Sequence, residues 1–287
     1  MARPLYLQRV PAPPLDAVIA SIWFSESGPR AHALERVLPS GAAQLIVNLK
    51  EDQTRVYRPE LGVGCQTTSS GTVLSGVQSR YCIIDTAEQE CVLGVAFKPG
   101  GTVPFFRIPA HELRDAAIPL ELLWGRRAAE LREQLLEAPG PQAKLAAMER
   151  ALAEVWKPAG PHAAVAFALE AFHQRPLQSS IAAVAERIGL SPKRFIERFK
   201  ASVGVPPKHY CRILRFQRAL AQRELAGAER GDGVDWTRIA VDCGYFDQAH
   251  FIHDLRSFAG ITPTGYQVAR TEFRNHVKFL QSGNGWL

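Results

Sequence analysis

The sequence predicts an α+β protein in which a β-rich N-terminal half precedes an all-α C-terminal half. Three observations support this prediction. Short β-branched and aromatic runs, separated by turn-forming residues, fill the chain from Leu5 to about Phe106. Amphipathic helical patterns begin at Leu120. Between Ser180 and Tyr266 one helical motif occurs twice, with an offset of about 55 residues, and such a fixed self-similarity is seldom accidental.

The N-terminal half contains four clear strand patterns, which are Ala20–Phe24, Gln44–Leu49, Arg80–Ile84 and Cys91–Phe97. Clusters of glycine, proline and serine lie between them, as expected for turns. The spacing favours an antiparallel β-barrel or sandwich.

Two amphipathic helices are predicted after the strands. The first covers Leu120–Glu137 and the second covers Pro141–Trp156, and both show the apolar periodicity of a helix with one buried face. This helical pair completes the N-terminal domain, which we expect to span residues 1–158.

The first copy of the repeated motif has the pattern of two short helices joined by a tight turn. Its first helix ends at Gly189, which can adopt the left-handed conformation that such a turn needs. Its second helix begins after Ser191, a residue type that caps helices, and carries Phe195 and Phe199 four residues apart on one face. The pattern predicts a helix-turn-helix.

The second copy repeats this pattern. Gly244 takes the place of the turn glycine and Asp247 that of the capping residue. Phe251 and Leu255 form the apolar pair of the second helix. The copies differ in length by one residue in the turn or at the start of the following helix, where an insertion disturbs the fold least.

The polar face of the second helix in each copy suits a helix that lies in the major groove of DNA. The residues expected to read bases are Lys193, Arg194, Glu197, Arg198, Gln248, Ala249, His250 and His253. A polar face on a single helix is more often only solvated. The duplication with preserved core spacing is what favours DNA recognition.

The charge distribution supports the same interpretation. Residues 161–287 contain 17 Lys and Arg against 11 Asp and Glu, whereas residues 1–160 contain 17 of each, so the whole formal charge of +6 lies in the C-terminal half. A basic domain is attracted to the phosphate backbone through counterion release. The residues expected to contact phosphates are Lys200, Lys208, Arg212, Arg215 and Arg218.

The C-terminal region, from about residue 161 to residue 266, resembles the DNA-binding domain of the AraC/XylS family of transcriptional regulators. The residues that carry the resemblance are Tyr210–Leu220, Ile239, Ala240, Gly244, Tyr245, Phe251, Phe258, Gly260 and Pro263. The resemblance implies two helix-turn-helix subdomains joined by a long linker helix, and it makes pairing within the domain an equal alternative to phosphate contact for Arg215. The sequence departs from the family pattern at Phe246, Asp247, His253 and Leu255, which leaves the fold intact and bears on the base preference.

Three short segments of the N-terminal half, Val37–Gly41, Phe97–Gly101 and Pro109–Asp115, resemble the cupin-like domain found in one branch of that family. Within a regulator, such a domain with a helical pair implies a small-molecule sensor with a dimerisation surface. The residues whose types suit an effector pocket are Trp23, Phe24, Asn48, Tyr57, Arg80, Tyr81 and Phe97. For any one of them, simple filling of the barrel is the favoured alternative, because alternation alone does not show which face points inward.

The expected organisation is therefore an N-terminal effector-sensing and dimerisation domain at residues 1–158, an AraC-type DNA-binding domain at residues 159–268, and a tail at residues 269–287. The expected function is that of a one-component, sequence-specific transcription regulator that reads two successive major-groove segments. The expected partners are double-stranded DNA, a small-molecule effector, RNA polymerase and a second copy of the chain. An alternative is that the N-terminal barrel binds a protein rather than a metabolite.

Enzymatic activity, cofactors and metals are not expected. The N-terminal histidines His32 and His111, with His162 at the boundary, do not form a metal-binding pattern, and no nucleophile or phosphate-loop motif is found. An alkyl-transfer enzyme fused to the DNA-binding domain is a further alternative. It would require a cysteine cluster, and the five cysteines are widely spaced.

The composition is typical of a cytoplasmic protein. No apolar run approaches the roughly 18 residues that a membrane-spanning helix needs. No signal peptide pattern follows the N-terminus. An odd number of cysteines, among them Cys65, makes structural disulfides unexpected.

Overall fold

The computed structural model describes residues 4–57, 66–159, 162–174, 180–230, 234–279, 281–282 and 285–286. The strands of the N-terminal domain are β1 (Leu5–Arg9), β2 (Ile19–Glu26), β3 (Leu34–Val37), β4 (Gln44–Asn48), β5 (Thr54–Tyr57), β6 (Gln66–Ser69), β7 (Thr72–Ser75), β8 (Cys82–Asp85), β9 (Cys91–Phe97) and β10 (Ala117–Pro119). Its helices are α1 (Val103–Phe106), α2 (Glu121–Trp124), α3 (Arg126–Glu137) and α4 (Gly140–Val155). The four predicted strand patterns correspond to β2, β4, β8 and β9, so these predictions are confirmed.

The helices of the C-terminal domain are α5 (Ala163–Gln174), α6 (Ile181–Arg187), α7 (Pro192–Val203), α8 (Pro207–Arg230), α9 (Trp236–Asp242), α10 (Gln248–Ala259) and α11 (Pro263–Ala269). The short strands β11 (His276–Lys278), β12 (Gln281–Ser282) and β13 (Gly285–Trp286) follow. The predicted α+β organisation with a helical C-terminal domain is thus confirmed.

The N-terminal strands form two antiparallel sheets and not a closed barrel, so of the barrel and the sandwich that the sequence favoured, the structure has the two-sheet arrangement. One sheet has the order β1-β2-β9-β4-β7-β10, and the other has the order β11-β3-β8-β5-β6. In the described part of the chain, the outer strand at each end of either sheet pairs on one side only. The sheets therefore remain open at their edges, and the predicted antiparallel β-rich N-terminal domain is confirmed without closure into a barrel.

The face of the larger sheet that carries Phe24 packs on the helical pair. Phe24, Leu93 and Val47 lie side by side on β2, β9 and β4, and all three are buried. They share one hydrophobic core with Leu135 of α3 and Met148 of α4. Burial of such side chains removes apolar surface from water, which is the main stabilising contribution to a domain of this kind.

The helix predicted over residues 120–137 is divided in two. Gly125 lies between α2 and α3 with a φ of +60° and a ψ of −135°, a conformation that favours glycine and that a continuous helix does not allow. The periodicity of the leucines continued across this glycine, which is why the sequence pattern did not show the break.

The linker helix α8 is 24 residues long and provides one wall of the C-terminal core. Ile213, Phe216 and Leu220 are fully buried at spacings of three and four residues, as expected for one face of a helix. This face belongs to the same core as Phe251 and Phe258 of α10. The predicted linker helix is confirmed.

The tail returns to the N-terminal domain. Strand β11 pairs with β3, with His276 opposite Val37 and Lys278 opposite Glu35. The smaller sheet of the N-terminal domain therefore contains a strand that follows the C-terminal domain in the chain.

The described cysteines, Cys82, Cys91, Cys211 and Cys243, are free thiols, and Cys65 lies outside the described residues. Within the described ranges, no three His, Cys, Asp or Glu side chains are grouped in a way that could hold a metal ion. No helix in this part of the chain is long and apolar enough to cross a membrane.

Candidate nucleic-acid interface

The first repeat comprises α6, the turn at Gly189 and α7. Gly189 has a φ of +70°, the left-handed conformation that the sequence predicted. The Ser191 side chain accepts a hydrogen bond from the backbone N–H of Arg194 and so caps α7. Phe195 and Phe199 are fully buried, which fixes the face of α7 that points away from the core.

The second repeat comprises α9, the turn at Gly244 and α10. Gly244 has a φ of +78°, and the Asp247 carboxylate accepts a hydrogen bond of 2.7 Å from the backbone N–H of His250. Phe251 and Leu255 are fully buried. Both repeats thus have the same turn conformation, the same type of cap and the same buried pair.

The residues predicted to read bases lie largely on the surface. In the first repeat Lys193, Arg194, Glu197 and Arg198 are exposed. In the second repeat Gln248, Ala249 and His253 are exposed, while His250 is half-buried because its ring packs edge-on against Tyr245. Arg198 also contacts His162 through Nη1 and the imidazole Nε2. The structure therefore leaves the first turns of α7 and α10 open to a ligand.

The residues predicted to contact phosphates fall into two groups. Lys208 is exposed and Lys200 is half-buried. Arg218 is exposed, and its Nη2 lies 3.4 Å from the backbone oxygen of His173. These three side chains remain available for a phosphate backbone.

Arg212 and Arg215 are instead engaged within the domain. Arg212 Nη2 lies 2.7 Å from Oδ1 of Asp254, a residue of α10 that is only 1% exposed. The Arg215 guanidinium lies over the Tyr245 ring, and its Nη1 donates to the Gly244 oxygen at 3.3 Å. A buried carboxylate needs such partners because an isolated buried charge is very costly. These contacts give Arg212 and Arg215 a structural role, while their expected phosphate contacts stay predictions.

Sequence reasoning missed Asp254, although a signal was present. It is a charged residue between Phe251, Leu255 and Phe258 on the apolar face of α10. An acid in that position requires a cation from a neighbouring helix, and α8 supplies it.

The N-terminal domain contacts the C-terminal ends of both α7 and α10. The backbone N–H of Tyr81 donates to the Phe258 oxygen at 2.9 Å. A Cβ added to Gly260, just after α10, would lie 2.5 Å from the Tyr81 ring. Gly204, just after α7, lies against Val77, and a Cβ added to Gly204 would lie 3.2 Å from the Val77 Cβ. The same segment of the N-terminal domain therefore touches both repeats.

Further contacts join the N-terminal domain to the linker helix. His209 Nε2 lies 3.1 Å from the Ser79 oxygen, and burial lowers the pKa of this histidine. Gln217 Nε2 donates to the Pro39 oxygen at 2.8 Å. Both contacts add polar links between the N-terminal domain and α8.

A buried carboxylate anchors the returning strand β11. Glu35 is fully buried, with Oε1 at 2.6 Å from both Arg30 Nη1 and His32 Nε2 and Oε2 at 2.7 Å from His276 Nδ1. Burial raises the pKa of Glu35, but the bonds and charge of His276, His32 and Arg30 outweigh burial and lower it to about 2. We refer to these four residues as the Glu35 cluster.

The seven residues predicted for an effector pocket do not come together. Phe24 and Phe97 fill the core beneath the helical pair, which is the alternative favoured from the sequence. Trp23 lies on the opposite face of β2 and stacks on Tyr6 at 6.3 Å. Tyr81 lies at the domain contact.

The other predicted pocket residues have separate surroundings. Asn48 is buried and bonds to the Gln53 oxygen at 2.8 Å. Tyr57 lies 3.3 Å from the Asp85 carboxylate. Arg80 lies on the loop before β8 and is exposed. The structure therefore does not gather a pocket from these side chains.

Comparison with known proteins gives two family matches. A helix-turn-helix domain family matches residues 184–269, and a domain of unknown function (DUF6597) matches residues 7–119. A search of curated proteins found no match. The first of these matches coincides with the two repeats described above.

Several solved structures are similar to the chain. A DNA-binding transcriptional dual regulator from Escherichia coli K-12 is 23% identical over 39% of this chain and 96% of that chain, with a TM-score of 0.31. An apo variant of ToxT from Vibrio cholerae strain SCE256 is 9% identical over 92% of this chain and 97% of that chain, with a TM-score of 0.46. Wild-type ToxT from the same strain, bound to an unsaturated fatty acid, is 10% identical over 93% of this chain and 96% of that chain, again with a TM-score of 0.46.

Proposed function

We propose that this chain, whose residues 184–269 match a helix-turn-helix domain family, is a transcription regulator that reads two successive major-groove segments with α7 and α10. The observation that carries the proposal is the equivalence of the two repeats. Each has a glycine turn, a capped recognition helix and an exposed polar first turn. In a helix-turn-helix, the first turn of the second helix meets the base edges.

The two repeats differ in the groups that they offer to DNA. Lys193 and Arg194 of α7 are cations that suit the acceptor pair on guanine, whereas Gln248 of α10 suits the donor and acceptor pair on adenine. We therefore propose an asymmetric site, with its two blocks about one helical turn, or roughly 34 Å, apart. The linker helix α8 joins the two repeats and would limit this spacing.

Nonspecific attraction would come from the basic C-terminal half. Its net charge of +6 and the exposed Lys208 and Arg218 suit phosphate contacts. These contacts position the protein on DNA and carry no sequence information.

Selection of bound sequences from a randomised DNA pool at physiological salt tests the proposal. We expect enrichment of two blocks whose centres are about ten base pairs apart. Lys193→Ala should relax preference within one block and Gln248→Ala within the other, each by about 1–3 kcal/mol at particular base pairs.

Lys208→Ala serves as the matched control for these variants. It should weaken binding to selected and random DNA equally and reduce the salt slope by about one. Binding without enrichment, or equal losses on specific and random DNA for Lys193→Ala and Gln248→Ala, would contradict the assignment.

Control by the N-terminal domain is the second part of the proposal. Its support is that one segment of that domain touches Gly204 after α7 and Gly260 after α10, through Val77 and Tyr81. An effector that shifted this segment would change how the two reading helices are held relative to each other. Selection repeated with Tyr81→Ala should return the same two blocks, with a more variable number of base pairs between them. An unchanged distribution of this spacing would exclude this route of control.

A further inference from the structure

The turn of the second repeat is one residue longer than that of the first. The turns correspond up to one point, since Leu190 N–H donates to the Ala185 oxygen and Tyr245 N–H donates in the same way to the Ala240 oxygen. In the first repeat the capping residue follows Leu190 directly. In the second repeat Phe246 stands between Tyr245 and the capping residue. Phe246 is therefore the inserted residue.

The inserted side chain is exposed to an unusual degree. Phe246 is 90% exposed, the highest value among the large hydrophobic side chains in the described part of the chain. The first repeat forms the same turn and the same cap without such a residue, so the fold does not require the ring. An exposed aromatic ring offers a large apolar surface to a ligand, because burial of that surface is favourable.

The backbone on both sides of Phe246 is well anchored. Tyr245 is 3% exposed and lies between the Arg215 guanidinium, 4.5 Å from its ring, and the Phe251 ring at 5.3 Å. On the other side, Asp247 caps α10 through its bond to the His250 N–H. The ring is thus presented from a fixed position rather than from a loose loop.

Phe246 adjoins the groups proposed to read the second block. Gln248 and Ala249 form the exposed first turn of α10, two and three residues further along the chain. In the major groove, the apolar group that a base presents is the 5-methyl of thymine, and phenylalanine is among the side chains that contact it.

We propose that Phe246 contacts a thymine 5-methyl group at the edge of the second block and so sets base preference there. This inference rests on the proposed function, since it requires α10 to lie in the major groove. It also assigns different chemistry to the two repeats, because the first has no residue at the inserted position.

The test uses the full chain and the operator obtained by selection. Each thymine of the second block is replaced in turn by uracil, which lacks the methyl group and pairs in the same way. For the wild type, one replacement should weaken binding about threefold to fivefold, the effect of losing contact with one methyl group. Phe246→Ala should lose a similar factor on the thymine operator and show no further loss on that uracil operator.

Two controls accompany this measurement. Val268→Ala alters another exposed apolar residue, 69% exposed on α11, and should keep the full sensitivity to uracil. Lys193→Ala, in the first repeat, should weaken binding and also keep that sensitivity. Circular dichroism of Phe246→Ala should match the wild type, because the ring is not part of the core.

The outcomes separate this inference from the proposed function. An enriched operator whose second block is insensitive to uracil, or equal sensitivity in Phe246→Ala, overturns the methyl contact and leaves DNA reading in place. In that case the ring would be available for a protein partner instead. Failure to enrich any operator overturns both proposals.

Discussion

Replacing Gly260 with alanine measures how strongly the N-terminal domain is fixed to the second repeat. Gly260 has a φ of +68°, and a Cβ at this position would lie 2.5 Å from Cε1 and 2.9 Å from Oη of Tyr81. The ring has little freedom to withdraw, because the Tyr81 N–H is bonded to Phe258 and Arg36 lies 5.5 Å from the ring centre. The substitution therefore adds backbone strain and displaces a contact between domains.

Gly189 provides the matched control. Its φ is +70°, but a Cβ built there meets nothing within 4 Å. Gly189→Ala should therefore report backbone strain alone, about 1–2 kcal/mol for a left-handed alanine. Gly260→Ala should cost this amount and about 1–3 kcal/mol more, which is typical of overpacking at a close contact.

Urea denaturation followed by circular dichroism gives the free energies of unfolding. The extra cost of Gly260→Ala should disappear in a Tyr81→Ala background, because the strain would remain and the clash would be gone. Equal costs for the two glycine variants, or an extra cost that persists without the Tyr81 ring, would refute this reasoning.

Two further predictions concern buried charges. Because the pKa of Glu35 is lowered to about 2 in the folded protein, the cluster should stabilise the fold above about pH 4.5, by roughly 3 kcal/mol. This contribution should be lost as the pH falls from about 4.5 towards 2, and Glu35→Gln should flatten that part of a plot of melting temperature against pH. An unchanged acid limb would contradict this contribution of the Glu35 carboxylate. Arg212→Ala should destabilise the protein by about 2–3 kcal/mol by leaving Asp254 poorly paired, and Asp254→Asn, which removes the charge itself, should cost less. The salt slope of DNA binding should stay unchanged in Arg212→Ala. A slope reduced by about one would instead support the phosphate contact expected from the sequence.

The repeats could be predicted from the sequence because their determinants are local. A capping side chain, a glycine in the left-handed region and an apolar pair four residues apart all act within about a dozen residues. Ser191 and Asp247 cap the helices that the sequence assigned to them, and Gly189 and Gly244 adopt the expected turn conformation.

The features that sequence reasoning missed depend on contacts between distant segments. Arg212 and Asp254 are 42 residues apart, and only the packing of α10 on α8 brings them together. Trp23 and Phe24 looked equivalent as pocket residues until strand register placed them on opposite faces of β2.

Distance along the chain also explains why the pairing of the tail with the N-terminal domain was not predicted from the sequence. The three residues of β11 carry too short a pattern to identify a partner strand. Glu35 and His276, which anchor it, are 241 residues apart.

The pairing of β11 with β3 also has a consequence for the order of folding. Contacts between distant parts of a chain form late, because the intervening loop must first be closed at an entropic cost. During synthesis the ribosome produces Val37 before the whole C-terminal domain and His276 only after it. The N-terminal domain therefore completes its second sheet only after the chain has been made through Lys278.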